Sequence, residues 1–101
     1  MSLENFMEVK SVWGSPIEIE RRNRIKLSVA AYAYEVHSDS IMSDAAFDEL
    51  ASKINVAIST ENDIMDMYFI KEFNPYTGQW IHKHPNKEGL EKIYTKYYRK
   101  K

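Results

Sequence analysis

The sequence predicts a small all-α domain of about four helices, and three observations lead to this fold class. The chain has 101 residues, enough for one domain with a single modest core. Glycine and proline occur only three times each, and apolar side chains recur at helical spacing between them. Hydrophobic residues make up 44% and charged residues 29% of the chain, as in an ordinary globular domain. We therefore expect residues 1–101 to form one helical domain, with residues 1–14 flexible.

Ser15, Pro16 and Glu18 mark the start of the first helix. A serine can cap the helix, a proline suits the first helical position, and a glutamate three residues after the cap completes a capping box. The apolar pattern continues to about residue 36. Four large side chains at helical spacing define the face that we expect to be buried: Ile25, Val29, Tyr32 and Val36. Leu27, Ala30, Ala31 and Tyr34 widen this face, so we expect the first helix to be the most buried.

The next two helices have weaker start signals. Ser43 followed by Asp44 predicts the N-terminus of the second helix, because serine caps and an aspartate in the first turn complements the helix dipole. Ser59 or Thr60 is expected to cap the third helix. The residues expected to point one way from this third helix are Ile64, Met67, Tyr68 and Phe73.

Residues 74–78 (Asn-Pro-Tyr-Thr-Gly) are typical of a turn. Residues 79–84 have two interpretations. They form either a short strand, giving one β-hairpin near residues 68–84, or an extended loop anchored by Trp80. We favour the loop, because a lone two-stranded ribbon is weak. Pro85 and Asn86 then begin the last helix.

Composition excludes several classes of protein. The net charge of -1 gives no bulk indication of a nucleic-acid or membrane partner. The absence of cysteine excludes a disulfide scaffold, a thiolate zinc site and a cysteine nucleophile. No apolar run approaches the roughly 20 residues that cross a bilayer, and the N-terminus does not resemble a signal peptide. We expect a cytoplasmic protein, which means the host cytoplasm if the gene is viral.

Residues 32–48 read YAYEVHSDSIMSDAAFD. This segment resembles domain Ia, the N-terminal domain of NAD⁺-dependent DNA ligases, whose pattern is Tyr-x-Tyr-His-Val, a short turn, and Asp-Ala-Glu-Tyr-Asp at the same spacing. In that family, domain Ia closes over the nicotinamide mononucleotide half of NAD⁺. The resemblance fades after Ile58. A looser similarity links residues 73–85, FNPYTGQWIHKHP, to the C-terminal part of small phage-encoded proteins that resemble ligase domain Ia.

The resemblance implies a separate role for each of several residues. Tyr34 stands where a family tyrosine stacks near the nicotinamide, and Asp44 and Asp48 stand where two aspartates accept hydrogen bonds from the nicotinamide or ribose. Phe47 replaces a family tyrosine, so the ring remains but the hydroxyl is lost. Glu35 replaces a family histidine. A glutamate only accepts hydrogen bonds and is anionic at neutral pH, so it would repel the nucleotide phosphate.

Residue types alone also allow a plain structural interpretation of these positions. Asp44 would then be a first-turn dipole residue, Asp48 a solvated partner of a basic side chain, and Tyr34 and Phe47 core aromatics. The resemblance makes the nucleotide-binding interpretation of these residues as well supported as the structural one. The changes at Glu35 and Phe47 favour an inherited scaffold over retained nucleotide binding.

No catalytic residue is predicted. The lysine that becomes adenylated in ligases lies in a Lys-x-Asp-Gly motif, and this motif does not occur in the sequence. We therefore do not expect an enzyme. His82 and His84 would share a face of an extended segment and resemble two metal ligands. Because spacing offers no third ligand, we expect two solvent-facing histidines and no metal.

Two surfaces are candidate interfaces. Tyr76 and Trp80 lie near the predicted turn and would anchor a protein interface if exposed. More often, a tryptophan in a small domain packs under a loop as core. The C-terminal segment combines basic residues, Lys96 and Arg99 among them, with tyrosines, a combination that can hold a nucleic-acid backbone and stack on bases. The alternative is a final helix with its tyrosines packed inward and its basic residues near the C-terminal end of the dipole.

These observations predict a non-catalytic binding module on a scaffold like ligase domain Ia, of the kind encoded by phages or mobile elements. Its expected partner is a host or phage protein of DNA metabolism or defence. The first alternative is an accessory protein that binds nicotinamide mononucleotide or NAD⁺, and the second is a nucleic-acid binder that uses the basic C-terminal helix. The protein-binding hypothesis requires no cofactor, and no hypothesis includes a membrane.

Overall fold

The computed structural model of the protein describes residues 14–99, where four α-helices and one 3₁₀ helix follow in chain order. Between residues 14 and 99 there is no strand, which confirms the all-α prediction. The expected flexibility of residues 1–14 falls, apart from Gly14, outside this range. The elements are α1 (Pro16–His37), α2 (Asp44–Lys53), α3 (Asp63–Glu72), the 3₁₀ helix (Gln79–Lys83) and α4 (Lys87–Tyr97).

Helix α1 is capped at both ends by residues that are close in the sequence. The predicted capping box is confirmed: the Ser15 hydroxyl accepts from the Glu18 N–H at 3.2 Å, and the Glu18 carboxylate accepts from the Ser15 N–H at 3.2 Å. At the other end Ser38 takes the left-handed conformation, with φ 53°. The Asp39 N–H then closes back onto the Ala33 carbonyl at 3.0 Å, which satisfies a carbonyl at the helix end.

Helix α1 is the centre of the core. It packs against α2, the 3₁₀ helix and α4, and residues 27–33 are all buried. The predicted single stripe is therefore wrong at its ends, because Ile25 and Val36 are 50% and 48% exposed. A helix surrounded on several sides buries a wide arc in its middle, and small residues there let neighbours approach. The buried core side chains are Leu27, Val29, Ala31, Tyr32, Ala33, Ala51, Tyr68, Phe69, Trp80, Ile81, Leu90 and Tyr94.

The C-terminal end of α1 is tied to α4 by polar and ring contacts. The His37 ring stacks on Tyr94 at 4.5 Å between centroids, and the Tyr94 hydroxyl donates to Asp39 at 2.6 Å. Glu91 lies between the two helices, 2.7 Å from the Tyr32 hydroxyl and 2.7 Å from the His37 Nε2. These contacts hold the end of α1 against α4.

Helix α3 begins later than predicted. Its cap is Asn62, whose side-chain oxygen accepts from the Met65 N–H at 3.2 Å. Ser59 and Thr60 have another role, because both hydroxyls donate to Asp66, at 3.4 Å and 2.6 Å. The two predicted caps therefore hold the connection before the helix against its first turns.

The predicted buried face of α3 is only partly correct. Tyr68 and Phe69 are buried, but Ile64 and Met67 are 70% and 54% exposed. Phe69 packs against Tyr68, Phe73 and Trp80, and the guanidinium carbon of Arg24 in α1 lies 5.0 Å from its ring centroid. The contacts with Trp80 and Arg24, which belong to other segments, are not visible in the apolar spacing of the helix.

The segment after the turn is a 3₁₀ helix, so neither the hairpin nor the extended loop is correct. Residues 68–72 belong to α3, so they do not form the first strand of a hairpin. Trp80 is 5% exposed, its indole N–H donates to the Thr77 carbonyl at 2.8 Å, and the Tyr68 hydroxyl donates to its carbonyl. Trp80 thus anchors this segment as predicted, in a tighter backbone form. No helix between residues 14 and 99 combines the length and apolar character needed to cross a membrane.

Candidate functional site

Three of the four predicted nucleotide-site residues line one cavity. Tyr34 of α1 and Asp44 and Phe47 of α2 surround a space of about 340 Å³, closed on another side by residues 77–79. Asp48 does not belong to it, because it lines a separate cavity that also includes Tyr76. The structure therefore brings together Tyr34, Asp44 and Phe47 and leaves out Asp48.

The walls of this cavity, the α1–α2 cavity, combine aromatic rings with very small residues. Tyr34 lies at the edge of the cavity and is 61% exposed, while Phe47 is half-buried and packs on the core. Gly78 approaches from the segment before the 3₁₀ helix. A Cβ at Gly78 would lie 3.4 Å from the Ala31 Cβ and 3.7 Å from the Phe47 Cζ. A larger residue at Gly78 would therefore project towards Ala31 and Phe47 and reduce the space.

Two carboxylates make the cavity acidic. Asp44 is exposed and has no hydrogen bond or ion pair with another described residue. Glu35 also lines the cavity, and its carboxylate lies 2.8 Å from the Nε2 of His82. The His82 ring is the partner of the Glu35 carboxylate, whereas the Asp44 carboxylate has no partner among the described residues.

The pairing of Glu35 with His82 could not be found by sequence reasoning. The two residues are 47 positions apart, and no local spacing connects them. From the sequence, Glu35 is only an anion that replaces a histidine. In the fold, His82 from the 3₁₀ helix brings an imidazole against the Glu35 carboxylate, which lines the cavity.

The metal-ligand interpretation of His82 and His84 does not hold in this backbone. Both residues belong to the 3₁₀ helix or its end, so their side chains do not alternate as in an extended segment. His82 is exposed, whereas His84 is only 8% exposed. In residues 14–99, no group of three or more His, Cys, Asp or Glu side chains has the arrangement of a metal site.

The predicted interface residues lie in different environments. Tyr76 is 92% exposed and remains available to a partner. Trp80 is buried in the core, so it cannot anchor an interface. Lys96 and Arg99 are exposed, and the Lys96 ammonium lies 5.2 Å from the ring centroid of Tyr97. Tyr97 is 67% exposed, so α4 carries a small surface of one ring and its basic neighbours.

Comparison of the chain with protein-family models, curated proteins and solved structures finds no match. The resemblance of residues 32–48 to ligase domain Ia therefore stays a prediction. Function is inferred below from the cavities and surfaces of residues 14–99.

Proposed function

We propose that the protein is a non-catalytic binding module, and that its α1–α2 cavity takes a small planar cationic ring, such as the nicotinamide ring of nicotinamide mononucleotide or NAD⁺. The observation that carries this proposal is the joint lining of one cavity by Tyr34, Asp44 and Phe47. A cation is attracted to aromatic faces and to the unpaired carboxylate of Asp44. The oxidised nicotinamide ring is planar, aromatic and positively charged.

The size of the cavity limits what enters it. Ligand sites in proteins usually enclose about 300–1,000 Å³, and this cavity of about 340 Å³ is at the lower end. It accommodates one ring and part of an attached sugar, while a phosphate stays in solvent. The phosphate then lies near the Glu35–His82 pair instead of an isolated carboxylate. The contact with His82 thus reduces the repulsion that an unpaired Glu35 would cause.

The resemblance to ligase domain Ia supports the same ligand. Residues 32–48 form the end of α1, a turn and the start of α2, which is where the resemblance implies nicotinamide contacts. The missing Lys-x-Asp-Gly motif supports binding without adenylation. The scaffold would then sense, sequester or present nicotinamide nucleotides.

Calorimetric titration with nicotinamide mononucleotide and NAD⁺ tests the proposal. Asp44→Ala and Asp48→Ala form a matched pair, because both aspartates are exposed on α2 and only Asp44 lines the cavity. We expect saturable binding that weakens about tenfold in Asp44→Ala, the loss of roughly 1.4 kcal/mol, and is unchanged in Asp48→Ala. Absence of binding at millimolar ligand, or an equal loss in both variants, would overturn it.

A second titration tests the charge of the ring. 1-Methylnicotinamide is a pyridinium cation, and nicotinamide is its neutral counterpart of nearly the same shape. We expect the cation to bind more tightly and the difference to shrink in Asp44→Asn, which keeps the shape of the side chain. If the neutral compound binds as well as the cation, the carboxylate does not select the ligand and the proposed chemistry is wrong.

A second candidate function is protein binding, and the exposed side of α3 favours it. Ile64, Met67 and Ile70 are 70%, 54% and 55% exposed, and their spacing places them on one side of the helix. We propose an amphipathic helix of a protein partner as the occupant, since such helices present apolar side chains at matching intervals. A host or phage protein of DNA metabolism or defence remains the expected source.

Affinity capture from host lysate, repeated with Met67→Glu, tests this second candidate. Met67 is exposed, so the variant should fold, and the captured protein should be lost. Ile19→Glu is the matched control, because Ile19 is an exposed apolar residue of α1 and not of α3. The captured protein should then rebind in purified form. A partner retained by Met67→Glu would exclude this surface, and sedimentation showing a concentration-dependent dimer would indicate self-association instead.

A further inference from the structure

A second cavity, the α1–α3–α4 cavity, lies on another part of the molecule. It encloses about 270 Å³ and shares no lining residue with the α1–α2 cavity. Its position between helices is one of the usual places for a small-molecule site. The large apolar side chains in its lining are Ile25, Met65, Phe69, Leu90 and Ile93.

Ser28 contributes a hydroxyl to this largely apolar lining. The residue is 2% exposed and lines the cavity. Its hydroxyl has no hydrogen-bond partner among the described residues. Most buried polar side chains in proteins have a partner, and one without a partner calls for an explanation.

His84 contributes a second polar group without a partner. Its Nδ1 accepts from the Asn86 N–H at 2.9 Å, so the neutral ring carries its proton on Nε2. Nothing in residues 14–99 accepts from that Nε2–H. Burial, together with the nearby Lys87 ammonium, lowers the pKa of His84 to about 4. At neutral pH, the cavity wall therefore offers one imidazole N–H donor.

The cations that line the cavity already have partners. Arg24 pairs with Glu20 at 2.7 Å and with Asp66 at 2.9 Å. Arg21 donates to the Thr60 carbonyl and to Glu61. An anion entering the cavity would have to compete with these partners, so the lining favours a neutral molecule.

We infer that the α1–α3–α4 cavity binds a small neutral molecule with an apolar body and one carbonyl oxygen. The oxygen would accept from the Nε2–H of His84 and from the Ser28 hydroxyl, while the apolar body packs on the aliphatic and aromatic lining. An apolar cavity of about 150 Å³ is known to hold benzene, so this space suits one substituted ring. The inference is independent of the proposed nicotinamide site.

Titration followed by amide NMR shifts tests this inference with three probes of similar size. Acetophenone has a ring and a carbonyl, ethylbenzene has the ring without an acceptor, and benzoate has the ring with a negative charge. We expect acetophenone to move the signals of residues 28 and 84–93 and to bind about tenfold more tightly than either other probe. Equal binding of ethylbenzene would overturn the polar recognition, and no saturable shift with any probe would mean that the space holds only water.

Variants at the two polar residues identify their contribution. His84→Gln keeps a donor near the Nε2 position, whereas the shorter side chain in His84→Asn can accept from the Asn86 N–H but does not reach the Nε2 position with its N–H group. The preference for acetophenone over ethylbenzene should persist in His84→Gln, disappear in His84→Asn and decrease in Ser28→Ala. If His84→Asn does not fold, Ser28→Ala and His84→Gln still decide the question. An unchanged preference in Ser28→Ala and the loss of preference in His84→Gln would each contradict the assigned roles.

Discussion

Arg24 of α1 donates a hydrogen bond to Asp66 of α3 at 2.9 Å, across 42 positions of the chain. The same guanidinium reaches Glu20 and two backbone carbonyls of the connection between α2 and α3, those of Asn55 and Ile58. Arg24 is 5% exposed, so these bonds form in a setting where unpaired charges are costly. One side chain therefore joins α1, α3 and the connection before α3.

Replacing Arg24 with methionine should destabilise the protein by about 3–5 kcal/mol, because two carboxylates and two carbonyls lose their partner. Urea unfolding followed by circular dichroism measures this change. Lys53→Met is the matched control, since the Lys53–Glu49 pair is exposed and 3.8 Å apart, and it should change stability by less than about 0.5 kcal/mol. Similar effects of the two substitutions on the free energy of unfolding would show that the buried arginine contributes no more to stability than an exposed lysine does.

Replacing Ser28 with alanine should stabilise the protein. The substitution removes a buried hydroxyl without a partner and introduces a better helix former, so we expect a gain of about 1 kcal/mol. Thermal unfolding measures the gain. Ala30→Ser, at another buried position of the same helix, should have the opposite sign. A loss of stability in Ser28→Ala would mean that the hydroxyl has a partner after all.

The stability of the protein should fall between about pH 6.5 and pH 4 because of His84. Its pKa is lowered from 6.5 to about 4 in the fold, mainly by burial. In this window the unfolded chain binds a proton and the folded chain does not, so acid favours unfolding. The contribution of His84 is complete above the ordinary pKa and decreases by as much as about 3 kcal/mol down to the folded pKa.

Urea unfolding at several pH values, for the wild type and for His84→Gln, isolates this contribution. Other groups titrate in both proteins, so the difference between their stabilities should change only through the stated window. A difference that is constant from pH 7 to pH 4 would contradict the buried neutral imidazole.

Glu91 should stabilise the fold at every pH above the acid range. The hydrogen bond from Tyr32, followed by that from His37, lowers the pKa of Glu91 from 4.5 to about 2. The same contact raises the pKa of Tyr32 to about 12. Because the folded pKa is the lower one, the contribution is present above pH 4.5 and is lost as the pH falls towards 2.

The carboxyl NMR signal of Glu91 reports this titration directly. Its midpoint should return towards 4.5 in Tyr32→Phe, which removes the donor hydroxyl. Unfolding at pH 3 and pH 6 should differ less in Glu91→Gln than in the wild type. Glu88→Gln, at an exposed position of the same helix, should preserve the wild-type difference. A midpoint near 4.5 in the wild type would contradict the contact.

The helix starts that depend on local chemistry could be predicted from the sequence. Ser15 and Ser43 each cap a helix as predicted, because a cap needs only a side-chain oxygen and the next three residues. The last helix begins close to the predicted start, at Lys87, with Asn86 as its cap. The start of α3 could not be found in this way, since Ser59 and Thr60 bind Asp66 instead. These hydrogen bonds depend on the position of Asp66, which is held by Arg24 of another helix, so they are a tertiary effect.

The residues of the candidate sites could likewise be predicted from the sequence only in part. Tyr34, Asp44 and Phe47 could be found because a resemblance to a known pattern placed them on adjoining helices. Asp48 was included by the same pattern, but the fold places it in another cavity. The α1–α3–α4 cavity has no sequence signal, because Ser28 and His84 are far apart in the chain and only the packing of α1 against the later segments brings them to one cavity.

The junction between the end of α1 and α4 has a consequence for synthesis on the ribosome. The contacts of Tyr94 with His37 and Asp39 need residues that leave the ribosome last among the described elements. Until then, α1 lacks its packing against α4 and exposes apolar surface. Translation that stops before α4 would therefore release a chain open to chaperones and proteases, and quality control would separate such fragments from finished molecules.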